Sequence, residues 1–326
     1  TPKWNPISIS GYHIREAGST ATQELAFTIA NGITYVSDAI KRGLDPDKFA
    51  SRISFFFNAH NDLLVEVAKF RAARRMWAKI MKSKFNVTNE KALKCRFHVQ
   101  TGGSTLSAQE IDNNIVRTTI QALSAILGGA QSLHTNSRDE ALSLPTDESA
   151  KLALRTQQII AYESGITNHP DPFGGSYVIE KMTDTIEKDA YDIIKIIENM
   201  GGVIEGIESG WIQNEISQSA SKYQSSIDAK DKIIVGVNEY KSDNKDNYEP
   251  MEIDDSLVAI QLKRLKDFKK SRDNLMVKDK LHSLNSIAQD SQNIIPAIIE
   301  CVRSNCTIGE ISDQLRNIFG EHQSNI

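Results

Sequence analysis

Residues 8–18 read SISGYHIREAG, a short strand-like alternation that passes into a polar turn, and a long amphipathic helix follows at 20–43. Apolar residues recur in that helix every three or four positions, which is typical of one buried face. Four such strand-like runs precede helical segments, at 6–10, 51–57, 94–100 and 130–135. Strands that alternate with long helices pair in parallel through crossover connections, so this part of the chain is predicted to be α/β.

The helices that follow these runs are predicted from apolar periodicity and end signals. Ser107 and Glu110 have the spacing of a capping box, so we expect the third helix to begin there and to end at the glycines at 128–129. Beyond residue 165 the pattern changes to helices separated by polar loops, with an exposed loop or linker at 241–250. The predicted helices lie at 20–43, 65–81, 107–128, 146–164, 178–200, 254–272 and within 290–319.

The strand-like runs carry polar residues on one face and apolar residues on the other. A packed barrel interior is normally filled by Val, Ile and Leu, whereas small and polar side chains predict a barrel with an open, hydrophilic axis. The alternative is a set of edge strands with a solvated face. The polar face is predicted to contain Ser8, Ser10, Arg52, Ser54, His98, Gln100, Ser132 and His134. We therefore expect four units of an eight-unit (β/α) barrel at 1–165 and a mostly helical extension at 166–326.

Composition excludes several classes of protein. The 326 residues contain 38 Lys and Arg against 42 Asp and Glu, a net charge of −4, which argues against duplex nucleic acid as a partner. No segment has the uninterrupted apolar length of a membrane span, so no membrane association is expected. Cys95, Cys301 and Cys306 contain no CxxC pair, which favours a reduced, cytoplasmic protein.

Chemistry-bearing residues follow the ends of the strand-like runs, where parallel α/β folds place their sites. His13 is the strongest acid/base or hydrogen-bonding candidate, because it ends the first run beside Tyr12 and two charged residues. Gly102 and Gly103 form either a tight turn or an anion-binding loop. The seven histidines and three cysteines lack metal-ligand spacing, so no metal site is expected, and the common phosphate-loop, dinucleotide and hydrolase motifs are absent.

The segment at 8–18 closely resembles the strand-and-turn signature of the adenosylcobalamin-dependent acyl-CoA mutases. Further similar motifs occur in the same order, and several long motifs in one order are far more specific than a single short one. They are RISFF at 52–56, KFRAAR at 69–74, QTG at 100–102, SLHTN at 132–136, DEA at 139–141, LPTD at 144–147 and DPFGGSY at 171–177. The resemblance is strong from residue 3 to about 240 and extends more weakly to the end.

This resemblance implies the C-terminal half of a TIM-type barrel whose polar axis holds the pantetheine arm of a coenzyme A ester. It also implies radical isomerisation of an acyl-CoA with adenosylcobalamin, either the interconversion of methylmalonyl-CoA and succinyl-CoA or the 2-hydroxyisobutyryl-CoA reaction. Carried over by motif, His13 would donate to the thioester carbonyl with Tyr12 beside it, and Arg52 and Ser54 would bind the coenzyme A portion from one strand face. Gln100, Asn136, Glu140 and the weaker candidate Glu16 would contact cobalamin and its adenosyl group.

The chain departs from the family pattern in two respects. The similarity begins at what corresponds to the fifth barrel strand, and no DxHxxG motif for a histidine cobalt ligand is present. We therefore expect no cobalamin-binding Rossmann-like domain in this segment, and expect its partners to be an N-terminal half barrel and a small cobalamin-binding subunit or domain in a hetero-oligomer. The alternative from another class is a non-catalytic module that only completes a barrel.

Overall fold

The computed structural model of the protein describes residues 4–242, 248–252, 254–290, 292–321 and 323. The chain divides into two compact units, Thr1–Met251 and Glu252–Ile326. Across the described residues, no helix combines the length and the apolar composition needed to cross a bilayer. The sequence predicts a different division, into half of a barrel at 1–165 and a helical extension at 166–326. That division depends on a complete barrel and stays a prediction.

The first unit contains a parallel sheet of four strands, which confirms the predicted α/β class. The strands lie side by side in chain order, and every neighbouring pair is parallel. Consecutive order is typical of a barrel, because open doubly wound sheets reverse their strand order at a switch point. The strands are β1 (Ser8–Ser10), β2 (Ser54–Ala59), β3 (Phe97–Thr101) and β4 (Ser132–His134).

The helices of the first unit include those predicted after each strand, with bounds that agree within a few residues except at the start of the third predicted helix. Thr20 begins the second helix with a complete capping box, because its hydroxyl accepts from the backbone N–H of Gln23 and its N–H donates to the Gln23 side chain. The bounds are α1 (Tyr12–Glu16), α2 (Ala21–Lys41), α3 (Pro46–Phe49), α4 (Leu63–Ser83), α5 (Glu90–Leu93), α6 (Asn113–Leu127), α7 (Asp147–Tyr162), α8 (Tyr177–Asn199), α9 (Val203–Glu208) and α10 (Trp211–Asp228).

One apolar core lies between the sheet and these helices. Phe55, Phe57 and Phe97 point from the strands into it, and Trp77 of α4 packs edge-on against Phe55 with ring centroids 4.8 Å apart. Helix α8 joins the same core with Ile194 and its neighbours, and it packs on both α2 and α4. Helix α8, the first long helix after residue 165, therefore forms a second layer that packs on the helices covering the sheet.

The basic face of α4 is paired with acidic residues of α8. Arg71 contacts Glu180, Arg75 contacts Asp184 and Glu187, and Lys79 contacts Glu187. Most of these side chains are partly exposed, so each pair contributes little to stability, on the order of 1 kcal/mol or less. The basic residues on this face of α4 therefore have partners within the fold and indicate no binding site for an acidic ligand.

The predicted start of the third helix at Ser107 is wrong. Helix α6 begins at Asn113, and Glu110 has φ of 47°, a left-handed conformation that interrupts a helix. The Ser107 hydroxyl donates to the carbonyl of Gln109 and caps no helix. Glu110 instead accepts from the Asn113 side chain and from the backbone N–H of Ser242, a contact across 132 residues.

The second unit is helical and has a small core of its own, with Leu284, Cys301 and Ile311 among its members. Periodicity identified its first helix and its last two, and it missed the helix between them. The bounds are α11 (Asp255–Ser271), α12 (Asn274–Gln289), α13 (Ile295–Arg303) and α14 (Ile308–Phe319). The predicted linker at 241–250 falls just before this unit, and its residues 243–247 lie outside the described residues.

Candidate active site

The strand register produces a polar face across the sheet, largely as the alternation predicts. Ser8 lies opposite Ser54 at the amino ends of β1 and β2. Toward the carboxyl ends, Asn58, Gln100 and His134 are register partners. Residues in register share one face of a sheet. The middle row consists of Ser10, Phe56, His98 and Ser132, so one large aromatic side chain interrupts the polar face.

The turn after β1 requires glycine at position 11 because atoms of α2 lie too close to its Cα for a side chain to fit. Its backbone angles do not require glycine. Gly11 has φ of −93°, which any residue adopts. A Cβ atom there would collide with Thr28 Oγ1 and would lie 2.9 Å from Cγ of Glu24. The absence of a side chain lets α1 begin directly against α2. Tyr12, His13 and Glu16 are thereby placed at the carboxyl end of the sheet.

Phe56 forms an aromatic platform for the residues of α1. The Tyr12 ring stacks on Phe56 with centroids 4.8 Å apart and an interplanar angle of 4°. The His13 ring meets Tyr12 edge-on at 5.5 Å and Phe56 at 6.2 Å. The His13 side chain is exposed, and its ring nitrogens bond to no other described residue. His13 is therefore held in orientation by ring contacts while its nitrogens stay available to a ligand.

Five of the predicted site residues converge at the carboxyl end of the sheet, and we refer to them as the carboxyl-end cluster. Gln100 Nε2 donates to Asn136 Oδ1 at 3.0 Å, and Asn136 Nδ2 donates to the carbonyl of Thr101 at 3.0 Å. Gly103 lies at the centre, since a Cβ atom on it would be 3.1 Å from Glu16 Oε2, 3.2 Å from Asn136 Nδ2 and 3.6 Å from Glu140 Oε1. The cluster consists of Tyr12, Glu16, Gln100, Asn136 and Glu140.

Burial and like charges shift two acidities in this cluster. Burial, followed by the nearby Glu16 carboxylate, raises the pKa of Tyr12 to about 12, so its hydroxyl is a neutral donor at physiological pH. Burial, followed by Glu16 and Asp139, also raises the pKa of Glu140. Hydrogen-bond donors, acceptors and two carboxyl groups thus surround a small volume at the end of the sheet.

Arg52 and Ser54 lie elsewhere, and the prediction that both project from one strand is wrong for Arg52. Arg52 ends a 3₁₀ turn at Ala50–Arg52, and β2 begins only at Ser54. The two residues remain neighbours at the amino end of β2. Among the residues that the structure describes, the Arg52 guanidinium has neither an ion pair nor a hydrogen-bonding partner, so it is available to an anion.

Two histidines, His98 and His134, also lie on the polar face. His98 Nδ1 and the Ser132 hydroxyl lie 2.8 Å apart. Burial, followed by the nearby His134, lowers the pKa of His98, and burial lowers the pKa of His134. The described part of the chain contains no group of three or more His, Cys, Asp or Glu residues arranged to hold a metal ion.

Phe56, Thr101 and Ser104 lie in or next to the quoted motifs, but the sequence assigned no site role to them. Phe56 could have been placed on the polar face by its alternation with Ser54. Thr101 Oγ1 accepts from the backbone N–H of Asn136 at 2.8 Å, and the Ser104 N–H donates to Glu16 Oε2 at 2.8 Å. These two contacts join segments 35 and 88 residues apart, so no local pattern indicates them.

Comparison with known proteins gives consistent matches. A family model described as methylmalonyl-CoA mutase matches residues 1–321. The 2-hydroxyisobutanoyl-CoA mutase large subunit of Aquincola tertiaricarbonis is 45% identical over 98% of this chain and 58% of its own length. The mitochondrial methylmalonyl-CoA mutase of Homo sapiens is 44% identical over 99% of this chain and 44% of its own length. The methylmalonyl-CoA mutase of Rhizobium meliloti is 42% identical over 98% of this chain and 45% of its own length.

The chain spans about half the length of these curated relatives. The family model nevertheless covers nearly every residue of the chain, from residue 1 to residue 321. Several of the motifs that carried the resemblance, among them SGYH at 10–13, QTG at 100–102 and SLHTN at 132–136, lie at or just after the ends of the strands. This chain belongs to the methylmalonyl-CoA mutase family.

Proposed function

We propose that this chain supplies part of the active site of an acyl-CoA mutase, an isomerase that rearranges the carbon skeleton of an acyl-CoA. One observation carries the proposal: ligand-accessible polar groups stand at both ends of β2. Arg52 and Ser54 stand at the amino end, and His13, Gln100 and Glu140 stand at the carboxyl end. Ser54 lies four positions before Asn58, the register partner of Gln100, which is about 13 Å at 3.3 Å per residue. Only an extended ligand such as the pantetheine arm of coenzyme A can reach both ends at once.

The carboxyl-end cluster fits the adenosyl group of adenosylcobalamin. Gly103 leaves an open position among Glu16, Asn136 and Glu140, where a side chain would contact all three. Amide and carboxyl groups are suitable partners for the hydroxyls of a ribose and the edge of an adenine. Gln100, Asn136, Glu140 and Glu16 are therefore the residues proposed to hold the cofactor.

The adenosyl group, when bound, supplies the radical that removes a hydrogen atom from the acyl chain. The residues of this chain bind and orient the substrate. His13 donates a hydrogen bond to the thioester carbonyl, which partly neutralises charge that develops on that oxygen as the thioester group migrates. The ring of Tyr12 stacks on Phe56 beside His13 and keeps bulk water from this end of the sheet. Because its pKa is raised to about 12, the Tyr12 hydroxyl stays neutral.

We further propose that the sheet is half of a (β/α) barrel, completed by four strands from a preceding segment or another chain. Consecutive parallel order, polar residues on the face away from the helices, and a match to half of each relative support this. The proposed second partner is a cobalamin-binding subunit or domain, and residues 1–326 contain no DxHxxG motif. The three cysteines are free, which fits a reducing compartment, and the cytoplasm is the proposed location.

Methylmalonyl-CoA is the proposed substrate and 2-hydroxyisobutyryl-CoA is the alternative. The test uses the assembled mutase that contains this chain, with adenosylcobalamin and each acyl-CoA in turn, and detects the rearranged acyl-CoA by mass spectrometry. We expect succinyl-CoA from methylmalonyl-CoA, and no product when cobalamin without the adenosyl group replaces the cofactor. An assembly that binds all components and rearranges neither acyl-CoA would contradict the proposal.

Arg52→Ala is expected to raise the KM for the acyl-CoA about ten- to a hundredfold with kcat little changed. The loss corresponds to one charge-assisted contact of about 1.5–3 kcal/mol to a phosphate or polar group of coenzyme A. Arg42→Ala is the matched control, because Arg42 is an exposed arginine just after α2. Steady-state kinetics on the assembled mutase measures the effect. An unchanged KM would show that Arg52 has no substrate contact.

A further inference from the structure

A fully buried ion cluster lies beneath the proposed site. Lys69 of α4 is completely inaccessible to solvent, as are Glu24 and Glu66. Its ammonium group lies 2.6 Å from Glu24 Oε2, contacts the Glu66 carboxylate, and donates to the backbone carbonyl of Asn58 at 2.7 Å. A buried ammonium is costly unless every proton is paired, and here each of its three protons has an acceptor.

The cluster is joined to the site through Asn58. The backbone N–H of Asn58 donates to Glu24 Oε1 at 2.7 Å, so both backbone groups of this residue bond to the cluster. The Asn58 side chain donates to Glu16 Oε1 at 2.6 Å. The other oxygen of Glu16 accepts from the N–H of Ser104 at 2.8 Å. A continuous hydrogen-bond chain thus runs from Lys69 through Asn58 and Glu16 to the turn that contains Gly103.

The first helix is tied to the cluster at a second point. The Arg15 guanidinium lies 3.7 Å from Glu66 Oε1, and Arg15 immediately precedes Glu16. Two carboxylates and two cations therefore face each other beneath α1. His60 adds no charge, because burial, followed by the nearby Arg15, lowers its pKa to about 3.

We propose that Lys69 is a positioning residue for Glu16, acting through Asn58 and holding the Glu16 carboxylate toward the position that Gly103 leaves open. The expected effect of Lys69 on cofactor binding rests on the proposed function. Its effect on the position of Glu16 rests only on the hydrogen bonds described above. Loss of the ammonium leaves Glu24 and Glu66 facing each other with only Arg15 as a counter-charge. It also removes the donor to the Asn58 carbonyl. Asn58 is then held less firmly, and so is the Glu16 carboxylate to which its side chain donates.

The test compares Lys69→Met, Asn58→Ala and Lys79→Met in the assembled protein without cofactor. Hydrogen exchange at single-residue resolution reports on the Ser104 amide, which bonds to Glu16 and lies two links beyond Asn58. Lys69→Met keeps the length of the side chain without its charge, and Asn58→Ala cuts the chain while leaving the buried charges paired. Lys79→Met is the matched control, since Lys79 lies on the same helix but makes a half-exposed pair with Glu187 at 2.6 Å.

We expect the Ser104 amide to exchange about tenfold faster in Lys69→Met and in Asn58→Ala than in the unmodified protein. In Lys79→Met, its exchange rate should be unchanged. Unchanged exchange in Asn58→Ala would overturn the proposal, and so would unchanged exchange in a folded Lys69→Met. If Lys69→Met does not fold, Asn58→Ala decides alone. A role confined to stability would loosen α4 without reaching Ser104.

A second measurement separates this inference from the proposed function. The Kd for adenosylcobalamin should rise about tenfold in Lys69→Met and Asn58→Ala, while the Kd for the acyl-CoA, which is proposed to contact Arg52, Ser54 and His13 and not Glu16, stays the same. If exchange at Ser104 responds as expected but the unmodified assembly binds no adenosylcobalamin, the proposed function is wrong and the positioning stands. If the unmodified assembly binds the cofactor and neither variant changes Ser104 exchange, the positioning is wrong and the function stands.

Discussion

His13→Ala is expected to lower kcat for acyl-CoA rearrangement about 10²–10³-fold while adenosylcobalamin still binds. Removal of one donor to a developing oxyanion has effects of this size in other enzymes. The His13 ring lies edge-on against the stacked rings of Tyr12 and Phe56, and its nitrogens make no hydrogen bond to another described residue. Its hydrogen bond is therefore free to be made with the substrate alone. Single-turnover and steady-state kinetics on the assembled mutase, together with the absorbance of bound cofactor, measure the two effects separately.

Two further variants distinguish a hydrogen-bond donor from a packing residue. His13→Gln keeps an N–H donor and should retain more activity than His13→Ala. His282→Ala is the control, because His282 is exposed on α12 in the second unit. Normal turnover in His13→Ala would contradict the assignment of this residue to the thioester carbonyl. Equal losses of activity and cofactor binding would assign His13 to the cofactor.

The strands and long helices of the first unit could be predicted because their signals are local. Alternation within five or six residues marks each strand, and a period of three to four residues marks each helix. The exact start of β2 could not be predicted. The Arg96 guanidinium donates to the carbonyls of Ser51 at 2.5 Å and Ile53 at 3.1 Å, and this contact stabilises the turn that delays the strand. Arg96 lies more than 40 residues away, so the sequence around Arg52 contains no sign of it.

The same distinction separates the predicted site residues from those that were missed. Tyr12, His13, Gln100 and Asn136 occur in short motifs at strand ends, where the architecture itself indicates function. Lys69 also lies in a quoted motif, but a lysine in an amphipathic helix is ordinarily solvated. Its burial depends on Glu24, which is 45 residues earlier in the chain. Such a cluster becomes visible only when α2 and α4 pack side by side on the sheet.

The sheet has two unpaired edges, and they determine what the isolated segment should do. Among the described residues, the outer sides of β1 and β4 have no strand partner. A surface groove of about 480 Å³ runs along β4, with Leu133, Leu154 and Tyr162 among its lining residues. Tyr162 is 86% exposed and Leu154 53%. Unpaired backbone groups beside exposed apolar side chains are a template for another strand, and here the proposed occupant is the first strand of the preceding half barrel.

We therefore expect residues 1–326 expressed alone to aggregate or self-associate, and to form a soluble complex when co-expressed with a segment that supplies the other four strands. Closing the barrel pairs both edges and covers the apolar groove, which removes the surfaces that drive association. Size-exclusion chromatography with light scattering measures the mass, and hydrogen exchange at Leu133 measures pairing of the β4 edge. Replacement of Leu133 by Pro removes a backbone donor at this edge and should weaken assembly. A stable, monodisperse monomer of this segment would contradict the half-barrel proposal, because its edges would then need no partner.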